Sequence, residues 1–242
     1  MVRLVTASEF STLPLPMCEW LVPGYFPKPG LLMILGEPRA GKSFLALQLA
    51  LTLAQGKTLL PSLPPTTPKR VLYFYFDKTG PFAFQDRLQQ LSLSGVDISG
   101  HLYMIHPCDK IPHANLLEKN CYGYFEAIIA EANPDVIVFD VLREFHNAEE
   151  NDSTSMKPFG DALSKLGEHK GIILVHHTKK LDYPGRTGPV KNIEASRGSN
   201  YITGKADATW LIHDNVLQTE SNFAEAKRFH LARAKNGLWL IS

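Results

Sequence analysis

Cysteine is scarce in this chain. Only Cys18, Cys108 and Cys121 occur in 242 residues, and their spacing suits neither a disulfide framework nor a metal-ligand motif. Buried thiols in a reducing compartment are the simpler reading. Net charge is also small: 25 lysines and arginines against 24 acidic residues leave +1, so a global basic field for nucleic acid is excluded. Any such contact has to come from a local patch. Long apolar runs are missing too. The N-terminal "MVRLVTASEF" lacks the apolar stretch of a signal peptide, and "FLALQLALTLA" is too short to span a bilayer and holds Gln48 in its middle. There is no internal repeat and no low-complexity tract. These absences point away from secreted disulfide scaffolds and membrane spans, and towards a soluble, cytoplasmic protein.

What is present suits one large α/β domain. The hydrophobic fraction of 44% is enough for a substantial core. Residues 1–30 read as an irregular lead-in, because prolines at 14, 16, 23, 27 and 29 break any long element. Residues 31–242 form the domain itself, leaving no space for a separate N-terminal collar or primase. "LLMIL" reads as a buried strand, and "KSFLALQLALTLAQG" as a helix ended by Gly56. After the proline-rich "PSLPPTTPKR", strands are expected at "VLYFYFD", "LYMIH", "DVIVFD" and "GIILVHH". Helices are expected around "FAFQDRLQQL", "LEKNCYGYFEAIIAEAN" and "MKPFGDALSKLGEHK". Alternating strands and helices, with several strands apolar on both faces, predict a mainly parallel sheet covered by helices on each side. Three late runs, "DATWLI", "KRFHLARA" and "LWLIS", have no helices between them and predict an antiparallel extension.

"GEPRAGKS" matches G-x-x-x-x-G-K-[ST] in full, with a strand before it and a helix after it. The phosphate-binding stretch comprises Gly36, Glu37, Pro38, Arg39, Ala40, Gly41, Lys42, Ser43 and Phe44. The two glycines let successive N–H groups turn inward towards phosphate oxygens. Lys42 reaches the β- and γ-phosphates, Ser43 ligates Mg²⁺, and the helix N-terminus adds a favourable dipole. An ordinary glycine turn with a solvated lysine is the competing reading, and the flanking elements disfavour it. ATP with Mg²⁺ is the expected ligand.

A phosphate loop needs a second acidic group for its metal. Asp140 ends the apolar strand "DVIVFD", where a carboxylate stands at the carboxyl edge of the sheet. A strand-ending Asp that caps the next turn is as common in isolation, but beside a phosphate loop the metal reading prevails. Position 141 is Val, so no catalytic Glu follows directly. The base has to come from elsewhere, and Asp77, at the end of "VLYFYFD", is the candidate to orient an attacking water.

The runs "LVPGYFPKPGLLMILGEPRAGKS", "DVIVFDVLREFHNAEENDSTSM", "GIILVHHTKK" and "EASRGSNYITGKADATWLI" follow one another in the order seen in hexameric replicative helicases. Over roughly residues 20–240 the chain resembles RecA-type hexameric helicases and ATPases. The likeness is nearest to small plasmid RepA-type helicases and their phage and mobile-element relatives, with the DnaB core more distant. The resemblance implies a RecA-like P-loop NTPase core in residues 31–242 and a homo-oligomeric, hexameric ring. It implies that Asp77 stands for the family's catalytic acid, normally Glu and one methylene longer. The turn "KTGP" after it departs from the usual acidic pattern. Arg87 resembles a family arginine near the phosphates, with a solvated helix residue as the alternative. By the same resemblance His177, with His176 second, senses the γ-phosphate. Arg197 in "SRGSN" is the finger offered to the neighbouring subunit, with a surface loop arginine as the alternative. Lys235 in "ARAKNGLW" fits a further cation acting across the subunit boundary, but Gly237 stands where a second one is expected.

Two connecting stretches bear on the partner. "REFHNAEEND" (143–152) has one basic and four acidic residues, 1 − 4 = −3, and does not suit phosphate. "TKKLDYPGRTGPVKN" (178–192) sets Lys179, Lys180, Arg186 and Lys191 against Asp182, 4 − 1 = +3, and includes Tyr183 for stacking. Composition alone balances a solvated loop against a single-strand tracking loop, and the position after the sensor strand favours nucleic acid. The leading expectation is an ATP-dependent, ring-forming motor on single-stranded DNA, a replicative helicase of a plasmid, phage or mobile element. The alternatives are a DNA-binding or loading module with weak turnover, and a regulatory ATPase that does not touch DNA.

Overall fold

A computed structural model describes residues 3–14, 17–61, 63–76, 80–105, 114–178 and 200–242. The N-terminal part holds a short helix, α1 (Ala7–Thr12), and a hairpin of β1 (Glu19–Val22) and β2 (Phe26–Lys28). The sheet then begins with β3 (Gly30–Gly36), followed by α2 (Lys42–Ala54), β4 (Val71–Tyr75), α3 (Gly80–Leu93) and β5 (Leu102–Met104). Next come α4 (Lys119–Ala132), β6 (Val136–Asp140), a 3-10 turn at Leu142–Phe145, α5 (Ser153–Leu166) and β7 (Gly171–His177). The described chain closes with α6 (Asn200–Lys205), β8 (Ala208–His213), β9 (Val216–Ser221), β10 (Lys227–Arg233) and β11 (Trp239–Ile241).

Among the described residues β3 to β11 form a nine-stranded sheet in the order β11-β10-β9-β8-β3-β7-β6-β4-β5, separate from the β1–β2 hairpin. From β8 to β5 every pairing is parallel, and β9, β10 and β11 continue antiparallel. β7 therefore lies between the strand leading into the phosphate loop and the strand ending in Asp140. Burial explains the division. β3, β6 and β7 are buried along almost their whole length, as strands covered on both faces must be. β10 instead alternates exposed and buried residues, as a strand with one wet face does.

Strand alternation sorts the core into two layers. Ile34, Tyr73, Val138 and Val175 face α2, while Met33, Phe74, Phe139 and Leu174 face α4 and α5. α5 starts where the Asp152 carboxylate accepts hydrogen bonds from the Thr154 and Ser155 amides, and α4 ends at Asn133 in the left-handed region. Among the described residues no helix is long and apolar enough to cross a membrane.

Two expectations are corrected. Residues 1–30 are not irregular throughout. Thr6 and Glu9 close a capping box on α1, and the hairpin buries Leu21, Tyr25 and Phe26 against the core. The prolines allow this because Pro23 lies with Gly24 inside the turn closed by the Tyr25 amide on the Val22 carbonyl oxygen, and Pro27 sits in a two-stranded ribbon with a free edge. The late part holds four strands rather than three. β9, "VLQTES", has weak apolar alternation, yet Asp214 and Asn215 take positive φ values of 46° and 58°, which suits a tight hairpin turn joining β8 to β9.

Candidate nucleotide-binding site

Alternation and register bring the site together. Asp140 shares its face of β6 with Val136 and Val138, and His177 shares its face of β7 with Ile173 and Val175, so both point towards α2. Gly36 is in register with His177 on one side and Ile212 on the other, which places the loop at the carboxyl edge of the sheet. Gly36 has no room for a side chain: a Cβ there meets the Ile212 carbonyl oxygen at 2.9 Å. Gly41, the residue before α2, takes φ 90°, and Arg39 within the loop takes φ 66°. Pro38 and Arg39 are exposed, and Glu37 and Ala40 are half-buried. Together these residues leave the first amides of α2 at a turn built for an anion.

Lys42 is 5% exposed, and its Nζ donates to the Glu37 carbonyl oxygen at 2.8 Å. The same Nζ lies 3.1 Å from Nδ1 of His177. An ammonium only donates, so Nδ1 accepts and the imidazole proton sits on Nε2. Ser43 Oγ donates to Asp140 Oδ1 at 3.0 Å, and the Tyr73 hydroxyl donates to Oδ2 at 2.8 Å. Asp140 is fully buried. Burial, and then the Asp140 charge, push the Tyr73 phenol well above its ordinary range, so it remains a protonated donor. Ser43 and Asp140 thus present oxygen donors side by side, the donor chemistry that suits Mg²⁺. The Asp140–Val141 peptide is cis.

The sequence-based candidates divide three ways. Lys42, Ser43, Asp140 and His177 are brought together. His176, on the opposite face of β7, is buried near His146 in the layer of α5. Lys235 is exposed in the turn between β10 and β11, where Gly237 packs against Phe44. Asp77, Arg197, Lys179, Lys180, Tyr183, Arg186 and Lys191 lie outside the described residues, as does Cys108.

Sequence reasoning missed four contributors. Tyr73 supports Asp140 from the neighbouring strand. Its signal was a hydroxyl-bearing aromatic in a strand buried on both faces, which needs a polar partner. Gln48 accepts from the Trp239 amide and donates to its carbonyl oxygen, both at 2.8 Å, and so ties β11 to α2. A lone amide inside an apolar helix was the clue. Trp239 Nε1 in turn donates to the Gly41 carbonyl oxygen at 3.2 Å. Arg233, two residues before Lys235, stacks on Trp239 beside Gly41, and no local pattern announced it.

No curated protein matches the chain in sequence. In three dimensions it is similar to a KaiC-like protein of the hyperthermophilic archaeon Pyrococcus horikoshii OT3, with 13% identity and a TM-score of 0.56, over 92% of this chain and 93% of that one. It is similar also to a second solved structure, an ATPase domain, with 13% identity and a TM-score of 0.59, over 88% of this chain and 85% of that one. These likenesses establish a RecA-like fold. Residues 1–182 match the family described as AAA domain, and the chain belongs to this AAA_25 family.

Proposed function

We propose that the chain is an ATP-dependent, ring-forming motor on single-stranded DNA, a replicative helicase of a plasmid, phage or mobile element. One observation carries this reading: the phosphate-binding lysine and the last residue of β7 are in contact, Lys42 Nζ to His177 Nδ1 at 3.1 Å. A γ-phosphate oxygen competes for the same ammonium protons, so nucleotide state is felt at the end of β7. The basic stretch 178–192 follows that strand directly in sequence. In this reading the loop amides and Lys42 hold the phosphates of ATP. Ser43 and Asp140 hold Mg²⁺, which when bound offsets charge on the transferring phosphoryl group. Asp77 orients the water, and Arg197 and Lys235 act on the site of the adjoining subunit. Lys179, Lys180, Tyr183, Arg186 and Lys191 contact the DNA. One structural neighbour is an ATPase domain, which supports hydrolysis.

The test is the ATPase rate with and without single-stranded DNA. Wild type is expected to be stimulated, Lys42→Ala to be inactive, and His177→Asn to keep a basal rate while losing most of the stimulation. A rate indifferent to DNA in wild type overturns the motor reading and favours a regulatory ATPase. Stimulation without strand displacement favours a loading module.

A further inference from the structure

Arg233 crosses from β10 to the chain's own phosphate loop. A Cβ added to Gly41 would lie 2.1 Å from its Nη2. Its guanidinium carbon is 3.8 Å from the Trp239 ring centroid and 4.7 Å from that of Phe44. Arg87 of α3 approaches the same Phe44 ring, at 4.1 Å. Its Nη1 is buried and has no hydrogen-bond partner among the described residues. Arg233 donates from Nη1 to the Gly237 carbonyl oxygen. Among the described residues, the ion pairs engage other cations than these two.

Two guanidiniums on one aromatic ring, Arg87 half-buried and Arg233 exposed, neither matched by a carboxylate among the described residues, repel each other. Burial, and then the charge of Arg87, hold Arg233 below the usual guanidinium range. Phe44 lies in the first turn of α2, where the helix dipole adds positive potential, and Lys42 supplies a third cation two residues earlier. An aromatic ligand alone leaves that repulsion in place. An anion relieves it, and guanidinium forks bind phosphate oxygens through charge-assisted hydrogen bonds.

We propose that Arg87 and Arg233 form a same-subunit cation pair that binds the phosphate chain of the nucleotide on the Phe44 side of the loop. The pair makes the site select ligands by phosphate charge, nucleoside di- and triphosphates over nucleosides. The proposal rests on the nucleotide reading above. It also supplies, from within one subunit, a second cation near the loop whose expected place is taken by Gly237.

The experiment is calorimetric titration of the full chain with ADP, inorganic triphosphate and adenosine at two salt concentrations. Arg233→Gln and Arg87→Gln are each expected to weaken ADP and triphosphate about tenfold and to flatten the salt dependence. Adenosine binding is expected to stay unchanged, and Arg233→Lys to retain part of the phosphate affinity. Should Arg233→Gln fail to fold, Arg87→Gln alone decides. Unchanged ADP affinity, or an equal loss for adenosine, overturns the cation pair and leaves the nucleotide reading intact. Wild type that binds neither ADP nor triphosphate overturns the nucleotide reading and this proposal with it.

Discussion

At the amino edge of the sheet Lys28 pairs with Asp135, and Lys69 Nζ pairs with Glu19 at 2.7 Å. At the carboxyl edge Lys42, Arg87 and Arg233 gather around one loop, and Asp140 accepts hydrogen bonds from Ser43 and Tyr73. The first edge matches two cations to two carboxylates and uses them to hold the β1–β2 hairpin on β4 and β6. At the second, carbonyl oxygens accept from Lys42 and Arg233, and hydroxyl groups donate to Asp140. Matched charges serve the scaffold, whereas charges oriented by neutral groups cost stability and point to a charged ligand. Both edges belong to one sheet, so the difference lies in the side chains and not in the backbone.

The comparison is broken most severely at Asp140. Asp140→Asn keeps the shape and removes the carboxylate charge proposed to hold Mg²⁺. ATP hydrolysis is expected to fall by about 10²–10³, as when one preorganised electrostatic group is lost. Asp135→Asn at the other edge is expected to leave the rate near wild type while lowering the urea midpoint. Equal kinetic losses in the two variants overturn the division between the edges.

Acid separates the regions next. His146, fully buried in its side chain and packed at a tilt against Phe159 with ring centroids 4.7 Å apart, is held down to about 4 by burial, then by Arg143 and His176. The folded state therefore binds fewer protons than the unfolded one as pH falls from about 6.5 towards 4, and stability declines across that window, by on the order of 3 kcal/mol. At the amino edge the Lys69 hydrogen bond holds Glu19 low. Burial raises Asp135, but the bonds from Lys28 and the Arg70 amide outweigh it, so this carboxylate is also low. Depressed carboxylates stabilise above their unfolded values near 4, and that contribution is lost as pH falls through the folded ones. Urea unfolding against pH is expected to show two declines. His146→Gln flattens the upper one and Asp135→Asn the lower one.

Tyr73→Phe is a smaller intervention. It keeps the ring that packs 5.2 Å from Phe84 and deletes one donor to a buried carboxylate. A stability loss of about 1–3 kcal/mol is expected from the oxygen left short of a partner, read by urea denaturation. Mg²⁺ offsets part of it if the metal engages Asp140, so the loss shrinks when nucleotide and Mg²⁺ are added.

Much of this was legible in the residues. Apolar runs gave the parallel strands, and the loop spacing together with a strand-ending acid gave Lys42, Ser43 and Asp140. Alternation alone separated His176 from His177. The rest depends on register between distant segments. Arg233 reaches Gly41, and Gln48 finds Trp239, only because β10 and β11 fold back beside α2. No local pattern encodes which turn meets which helix. The hairpin of residues 19–28 was hidden for a similar reason: its prolines read as breaks, yet its apolar residues have a place only once β3 and β7 exist to cover. A family resemblance supplied roles for Arg197 and Lys235, but it could not say that Arg233 stands at the loop of its own chain.

The mildest test touches the brace between the antiparallel strands and the loop. Gln48→Leu preserves the apolar character of α2 and removes two hydrogen bonds to the Trp239 backbone. The Trp239 amide and carbonyl lie at a sheet edge, where water replaces part of what is lost, so about 1–2 kcal/mol of stability is expected to go. The effect on ligands sharpens the contrast between the edges. Trp239 also holds the Gly41 carbonyl and carries the Arg233 guanidinium, so a looser β11 moves a cation and not only a strand. ADP affinity should therefore weaken by a few-fold in Gln48→Leu. A variant of equal stability cost at the amino edge, such as Glu19→Gln, should leave it unchanged. Equal affinities in both would mean that β11 braces the fold without setting the charge at the loop.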